Sequence, residues 1–257
     1  MLAKIPLLTA LLFANLYPLC FWINVREPLG HGFHRFHLGL AGVTGGVAVT
    51  LLMFMEVPTS LKVSLAIWLG LFLIVSALMW SKDVPNLMWI SAVSIVGLVL
   101  YAQAQSHLLG PGLDLLFFSI LGGMILCLSI FAMNMGHWYL NVRGLSVSHL
   151  QRVVTVFGIV LLARMLLDGW RLLTHHVTYA GFEIPLYSFV MTIEGFLIIV
   201  ALLFGTIFPL ITLFFVRGTL SLKATQSATG ILYATLCSVL IGDLSYKYYA
   251  LTFDCVL

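Results

Sequence analysis

Charged residues are scarce in this sequence. Only 8% of its 257 residues are Asp, Glu, Lys or Arg, whereas 61% are hydrophobic. A soluble domain carries about 25% charged residues because its surface faces water. So few charges exclude a water-facing surface around the whole chain, and lipid is the solvent that fits the composition. The net charge of +3 and the lack of a polybasic run give no indication of nucleic-acid binding.

Cysteine motifs and a clear cleavage site for a signal peptide are also missing. The four cysteines form no C-x-x-C motif, so they predict small buried hydrophobic side chains rather than a metal site. They are Cys20, Cys127, Cys237 and Cys255. The apolar run after Lys4 contains only a weak cleavage site between Ala14 and Cys20. We therefore expect this run to be retained as a first membrane span.

Long apolar runs dominate the rest of the chain. Eight of them are about 20 residues long, which is the length that a helix needs to cross a bilayer. They cover about 5–24, 33–55, 61–80, 86–105, 113–139, 150–170, 187–215 and 222–249. The longest join, about 171–186, is too short to separate domains. The sequence therefore predicts an all-α, polytopic transmembrane helix bundle of about eight spans, with 1–257 as a single transmembrane domain.

Aromatic and basic residues predict the orientation of the spans. We call the side of the N-terminus side A and the other side B. Four tryptophans fall at the side-B ends of spans, as in an aromatic belt: Trp22, Trp80, Trp89 and Trp138. Side B has seven loop cations, namely Arg26, Arg35, Lys82, Arg143, Arg152, Arg217 and Lys223, and side A has four, namely Lys4, Lys62, Arg171 and Lys247. The positive-inside rule then predicts non-cytoplasmic termini in a bacterial inner membrane.

Histidines form the densest polar feature, in the segment Gly30–His37 (GHGFHRFH). His34 and His37 share one helix face at i and i+3, and His137 and His149 fall on the same side of the membrane. Imidazole ligates haem b and hydrogen-bonds quinones. We predict a cofactor site at these four histidines, for a quinone or for haem iron on His37 and His137. Interfacial histidines without a ligand are the alternative. The spacing does not match a two-haem cytochrome b.

A second set of polar residues lies within the spans toward side A. Arg164 and Asp168 are i and i+4 on the sixth span, Glu194 lies about two turns into the seventh, and Asp243 lies late in the eighth. Charges within a bilayer are costly and often mark function. One arginine against three acids leaves a surplus of carboxylates, which predicts a proton-transfer site or polar pocket. An ion pair that only fixes helix packing is the alternative.

Part of the final span resembles the last helix of a known family. The segment Val239–Ser245 (VLIGDLS) is similar to the end of the last helix in eight-helix, quinol-interacting membrane anchor subunits of the dimethyl sulfoxide reductase and polysulfide reductase type. The resemblance implies a subunit that passes electrons from quinol to a partner carrying iron–sulfur clusters and a molybdopterin. It maps one residue, Asp243, to the acid beside the quinone. The segment Gly136–Leu140 (GHWYL) has no counterpart in that family.

Together these features predict a non-catalytic membrane subunit of a respiratory or electron-transfer complex. We expect it to bind quinone, with or without haem b, and to contact membrane lipid and the other subunits of a redox complex. The histidine site and the acidic site would place a quinone on opposite membrane faces, and the sequence does not choose between them. A transporter or channel for a small solute or ion is one alternative, although we find no internal repeat. A structural or assembly subunit without its own site is the other.

Overall fold

Eight long helices make up most of this protein. The structure is a computed structural model that describes residues 3–25, 29, 31–142 and 144–253, and of His31 only the backbone. Among these residues, eight helices are long and apolar enough to cross a membrane. The all-α prediction is therefore confirmed, and the chain is an integral, multi-pass membrane protein. Arg26, Arg143 and Cys255, which the sequence analysis used, lie outside the described residues.

The helices follow the predicted apolar runs closely, with one exception at the seventh span. They are α1 (Lys4–Leu16, continued as a 3-10 helix over Tyr17–Asn24), α2 (His31–Met53), α3 (Thr59–Trp80), α4 (Leu87–Leu109), α5 (Leu113–Asn141), α6 (Ser148–Thr174), α7 (Leu186–Phe189), α8 (Phe196–Leu202), α9 (Phe208–Ser221) and α10 (Thr225–Thr252). The seventh span consists of α8, a π-helical turn and α9, and it begins at Phe196 rather than near residue 187.

A β-hairpin occupies the longest join between spans. Strands β1 (His176–Tyr179) and β2 (Phe182–Pro185) pair in antiparallel register, with Tyr179 opposite Phe182. The two residues between them, Ala180 and Gly181, have φ values of 52° and 84°. Two successive left-handed residues make the tight turn that matches the twist of a two-stranded ribbon. Because the chain folds here into a hairpin and the short α7, the next spanning helix starts later than predicted.

The chain divides into two compact units, Met1–Leu116 (unit 1) and Phe117–Leu257 (unit 2). The prediction of a single transmembrane domain stays a prediction. In unit 1, α1 is the most buried spanning helix and packs against α2 and α4. A Cβ on Gly97 of α4 would lie only 1.7 Å from Asn15 Oδ1 of α1, so glycine is required at this crossing.

The seventh span of unit 2 is interrupted by the π-helical turn Leu203–Ile207. Pro209 follows two residues after the turn and has no backbone N–H, so the Phe204 carbonyl, five residues earlier, cannot receive the next π-type bond. In lipid every backbone carbonyl needs a partner within the protein. The Ser238 hydroxyl of α10 supplies it, donating to the Phe204 oxygen at 2.6 Å. The interrupted helix is therefore stabilised by its neighbour.

Candidate functional site

Unit 2 contains a buried ion pair between Arg164 and Asp168 on α6. Arg164 Nε lies 2.8 Å from Asp168 Oδ1, and the two side chains are only 2% and 1% exposed. The residues are i and i+4, so one helix face presents both groups. The predicted pair is confirmed, and both charges are turned into the protein, away from its surface.

Two further side chains complete the surroundings of the carboxylate. The Tyr246 hydroxyl of α10 donates to Asp168 Oδ2 at 2.6 Å. The Thr206 hydroxyl lies 3.4 Å from Asp168 Oδ2 and 3.2 Å from the Tyr246 oxygen. We call Arg164, Asp168, Thr206 and Tyr246 the Asp168 cluster. It joins α6, the π-helical turn and α10, and such turns occur frequently at functional sites.

Arg164 makes contacts beyond Asp168. Its Nη1 donates to the Phe118 carbonyl of α5 at 3.3 Å, and its Cζ lies 4.1 Å from the centre of the Tyr246 ring. A guanidinium over an aromatic face gains electrostatic energy without losing its hydrogen bonds. The cation is thus held by a carboxylate, a carbonyl and an aromatic ring.

Two glycines explain how Tyr246 reaches Asp168. A Cβ on Gly242 of α10 would lie 2.1 Å from Gly205 Cα in the π-helical turn, and a Cβ on Gly205 would lie 2.7 Å from Tyr246 Cε2. Neither position has room for a side chain, so the backbones of the two segments are in direct contact. One turn further along α10, the Tyr246 ring then lies over Gly205 and directs its hydroxyl to the carboxylate.

Asp243 lies next to this cluster, paired with Lys247 at i+4 on α10. The position that a Cβ on Gly122 of α5 would occupy is 3.5 Å from Asp243 Oδ1 and 3.7 Å from Arg164 Nη1. Asp243 and Arg164 therefore both lie beside Gly122, which has no side chain. The sequence analysis treated Lys247 as a loop cation, although its spacing from Asp243 is that of a helical ion pair.

Glu194 is not part of the buried set, and its predicted place inside the seventh helix is wrong. It is exposed and precedes α8, in a turn where the Gly195 amide donates to Thr192 Oγ1 at 3.0 Å. The Tyr179 hydroxyl donates to Glu194 Oε2 at 2.8 Å and lowers the pKa of that carboxyl. The turn places the carboxylate before the first residue of the spanning helix, Phe196, and a charge costs less at the end of a span than within it.

These positions change the charge count of the site. With Glu194 exposed and Lys247 paired, this region holds two cations and two carboxylates: the buried pair of Arg164 with Asp168, and the pair of the half-buried Lys247 with Asp243. The predicted surplus of carboxylates is wrong, because a partner on the same helix turn was assigned to a loop. A balanced set can hold its charges in the membrane without a protonated acid.

His34 and His37 of α2 are buried in unit 1 and hydrogen-bonded there. A ring nitrogen of His34, Nε2, lies 3.1 Å from the Met79 carbonyl. His37 Nδ1 shares a hydrogen bond of 2.6 Å with the Tyr17 hydroxyl. In unit 2, His149 is buried in the first turn of α6, whereas His137 is exposed near the end of α5. That these four histidines form one site stays a prediction.

The surroundings of His37 do not fit haem iron as they stand. Its side chain is 1% exposed, and its ring centre lies 4.1 Å from that of Phe33, 5.3 Å from that of Tyr17 and 5.9 Å from that of Phe21. An axial imidazole needs a porphyrin against its free nitrogen, which here requires these rings to move. Within the described ranges, no group of three or more His, Cys, Asp or Glu side chains could hold a metal ion; this does not bear on haem b, which two histidines can ligate.

No protein-family model, no curated protein and no solved structure matches this chain. The Asp168 cluster is therefore the candidate site on its own geometry. Sequence reasoning found Arg164, Asp168 and Asp243 and missed Thr206 and Tyr246. Hydroxyl side chains within apolar spans give only a weak signal, because they also bond to their own helix backbone.

Proposed function

We propose that this chain is a membrane subunit of a respiratory or electron-transfer complex whose Asp168 cluster exchanges protons with a quinone. The observation that carries the proposal is the carboxylate of Asp168, which is buried among spanning helices and held by Arg164, Tyr246 and Thr206. An ionisable residue inside a membrane costs about 2.5–3.5 kcal/mol even on the lenient insertion scale, and by default it indicates a functional site.

The residues of the cluster have different roles in this proposal. A quinone takes up electrons and protons together, so its site needs a group that can supply or accept a proton. Asp168 is that group, Tyr246 hydrogen-bonds its Oδ2 and extends the path for the proton, and Arg164 stabilises the ionised carboxylate. We assign the quinone oxygen to the side of Gly122, beside Asp243 Oδ1 and Arg164 Nη1.

The partners and the orientation follow from the sequence arguments. The electrons pass to or from other subunits of the complex, as in the anchor subunits that the last helix resembles. We place the chain in a bacterial inner membrane with non-cytoplasmic termini, on the seven-to-four excess of loop cations. A C-terminal alkaline phosphatase fusion, active only outside the cytoplasm, should be active; an inactive fusion would reverse the orientation.

The histidine site is the less favoured place for the quinone, because His34 and His37 already have hydrogen-bond partners in unit 1. Haem b on His37 and His137 is kept as a separate expectation with its own test. Oxidised and reduced absorption spectra of the purified protein would reveal it. A b-type spectrum that His137→Ala abolishes would establish His137 as a haem ligand. A colourless protein would show that no haem is bound.

The proposal is tested by reducing a short-tail ubiquinone electrochemically in proteoliposomes and recording the infrared difference spectrum. We expect a carboxyl band that is absent in Asp168→Asn and retained in Glu183→Gln, which changes an exposed carboxyl of the β-hairpin. Asp168→Asn preserves shape and hydrogen bonding better than alanine does. The proposal would be contradicted if the wild-type protein binds no quinone. It would also be contradicted if the difference spectrum of Asp168→Asn is identical to that of the wild type.

A transporter for a small solute or ion is the second candidate, favoured by the π-helical turn at Leu203–Ile207. Transporters often place interrupted helices at their substrate sites. Uptake of a solute into proteoliposomes, lost in Asp168→Asn, would favour this reading over the redox subunit. A protein that binds no quinone and moves no solute would leave the structural or assembly role.

A further inference from the structure

A groove runs along the outer surface of unit 1 between α3 and α4. Its volume is about 410 Å³, and every side chain that lines it is apolar. Trp68 and Met79 of α3 are its most buried lining residues, 1% and 9% exposed. Trp68 also ties the two helices together, because its indole N–H donates to the Val93 carbonyl of α4 at 3.0 Å.

The rim of the groove opens outward, away from the interior of unit 1. Leu71 and Leu78 of α3 and Trp89 and Val96 of α4 are between 48% and 61% exposed. Because α3 and α4 are both long and apolar enough to cross a membrane, such a surface suits contact with hydrocarbon. The occupant of the groove must therefore be apolar over its whole length.

The shape of the groove fits an extended hydrocarbon chain. Its lining residues on α3 run from Trp68 to Met79, which is about 16 Å along a helix axis. One leaflet of the hydrocarbon core, half of about 30 Å, has nearly the same depth. A groove parallel to two spanning helices also has the direction that lipid chains adopt. An acyl chain matches its length, direction and chemistry.

One end of the groove lies where α3 ends and α4 begins. Met79 is next to the last residue of α3, and Trp89 is the third residue of α4. The loop between these helices exposes Lys82 and Asp83, three and four residues beyond Met79. Side chains of opposite sign at this end match a headgroup that carries both a phosphate and an ammonium group.

We propose that the groove between α3 and α4 binds one acyl chain of a zwitterionic phospholipid, with the headgroup beside Lys82 and Asp83. Such a lipid is bound specifically and differs from the exchanging lipid that surrounds any membrane protein. The Trp89 indole at the rim is suited to the boundary between chain and headgroup. This site is independent of the Asp168 cluster and of the proposed redox role.

Native mass spectrometry of the full chain, purified in detergent and washed free of loose lipid, tests the proposal. We expect one phosphatidylethanolamine per wild-type protein. Ala92→Trp, which fills the groove, should reduce its occupancy at least tenfold. Ala66→Trp makes the same change on an exposed part of α3 outside the groove and should leave the occupancy unchanged. Lys82→Ala should reduce it severalfold.

Other outcomes would overturn the assignment. Equal retention in Ala92→Trp and Ala66→Trp would mean that only surrounding lipid binds. Specific retention of phosphatidylglycerol or of a quinone instead would exclude a zwitterionic phospholipid. If Ala92→Trp does not fold, Val96→Phe replaces it, because this smaller change also narrows the groove. Val96→Phe should then reduce the lipid occupancy, and unchanged occupancy would overturn the assignment. As a second measurement, brominated phosphatidylethanolamine should quench wild-type tryptophan fluorescence and saturate at one lipid per protein.

Discussion

The two units bury polar side chains in different ways. In unit 1 the His37 ring packs against the rings of Phe33, Tyr17 and Phe21, and its Nδ1 shares a hydrogen bond with the Tyr17 hydroxyl. In unit 2 the buried pair consists of two ionisable groups of opposite sign, Arg164 and Asp168, and Asp168 contacts three different side chains. A histidine needs a partner for each of two ring nitrogens, whereas a buried charge requires several polar or charged partners. The proposed function is therefore assigned to this network rather than to the densest run of polar residues in the sequence.

The largest effect that tests this comparison is expected from Arg164→Leu. It leaves the Asp168 carboxylate buried without its cation, which should lower the free energy of unfolding by about 3–5 kcal/mol. Unfolding in mixed micelles, followed by circular dichroism, measures this change. Arg217→Leu is the matched control, because Arg217 is exposed on α9 and its loss should cost little.

A double variant sharpens the result. Arg164→Leu with Asp168→Leu removes both charges, so most of the lost stability should return, because no unpaired charge remains. If Arg164→Leu costs no more than Arg217→Leu, the ion pair is not buried as described and the contrast between the units fails.

Two tyrosines make a second, smaller test of the same contrast. Tyr246→Phe removes a bond to a charged carboxylate and should cost about 1.5–3 kcal/mol, whereas Tyr17→Phe removes a bond to a neutral imidazole and should cost about 0.5–1.5 kcal/mol. Both variants delete one hydroxyl and keep the ring. Micellar unfolding of the two proteins under identical conditions measures the difference. Equal costs, or a larger cost for Tyr17→Phe, would contradict the distinction between a charged and a neutral site.

The sequence predicted the spans better than the site, for a physical reason. Apolar length alone defines a spanning helix in lipid, so the predicted and observed spans agree except near residue 187. The site depends on which helices meet, and that was set by the contact of Gly205 with Gly242. Thr206 and Tyr246 gave only a weak signal because neither has a charge and hydroxyl groups also bond to their own helix backbone. Glu194 was misplaced because an apolar run continues past its turn.

Unit 2 also contains an exposed tyrosine–carboxylate pair, Tyr179 with Glu194, which has the same chemistry as the pair of Tyr246 with Asp168. The hydrogen bond lowers the pKa of Glu194 and raises the pKa of Tyr179. The native pKa of Glu194 lies below its unfolded value, so its contribution to stability exists above the unfolded pKa and is lost as the pH falls through the native one. The contribution of Tyr179 exists below its unfolded pKa and is lost as the pH rises through its native pKa.

The smallest expected effect is therefore a change in the titration of Glu194. Tyr179→Phe removes the donor, so the Glu194 pKa should rise toward the ordinary range of a carboxyl, and the loss of stability on acidification should begin at a higher pH. The carboxyl carbon shift of ¹³C-labelled glutamate, followed by NMR in micelles, reports this pKa directly. Tyr187→Phe, at another exposed tyrosine of the same segment, should leave it unchanged. An unaltered Glu194 titration in Tyr179→Phe would mean that water replaces the Tyr179 hydroxyl without loss, as expected of surface pairs that contribute little. The stabilising effect of the similar pair of Tyr246 with Asp168 would then be due to its burial.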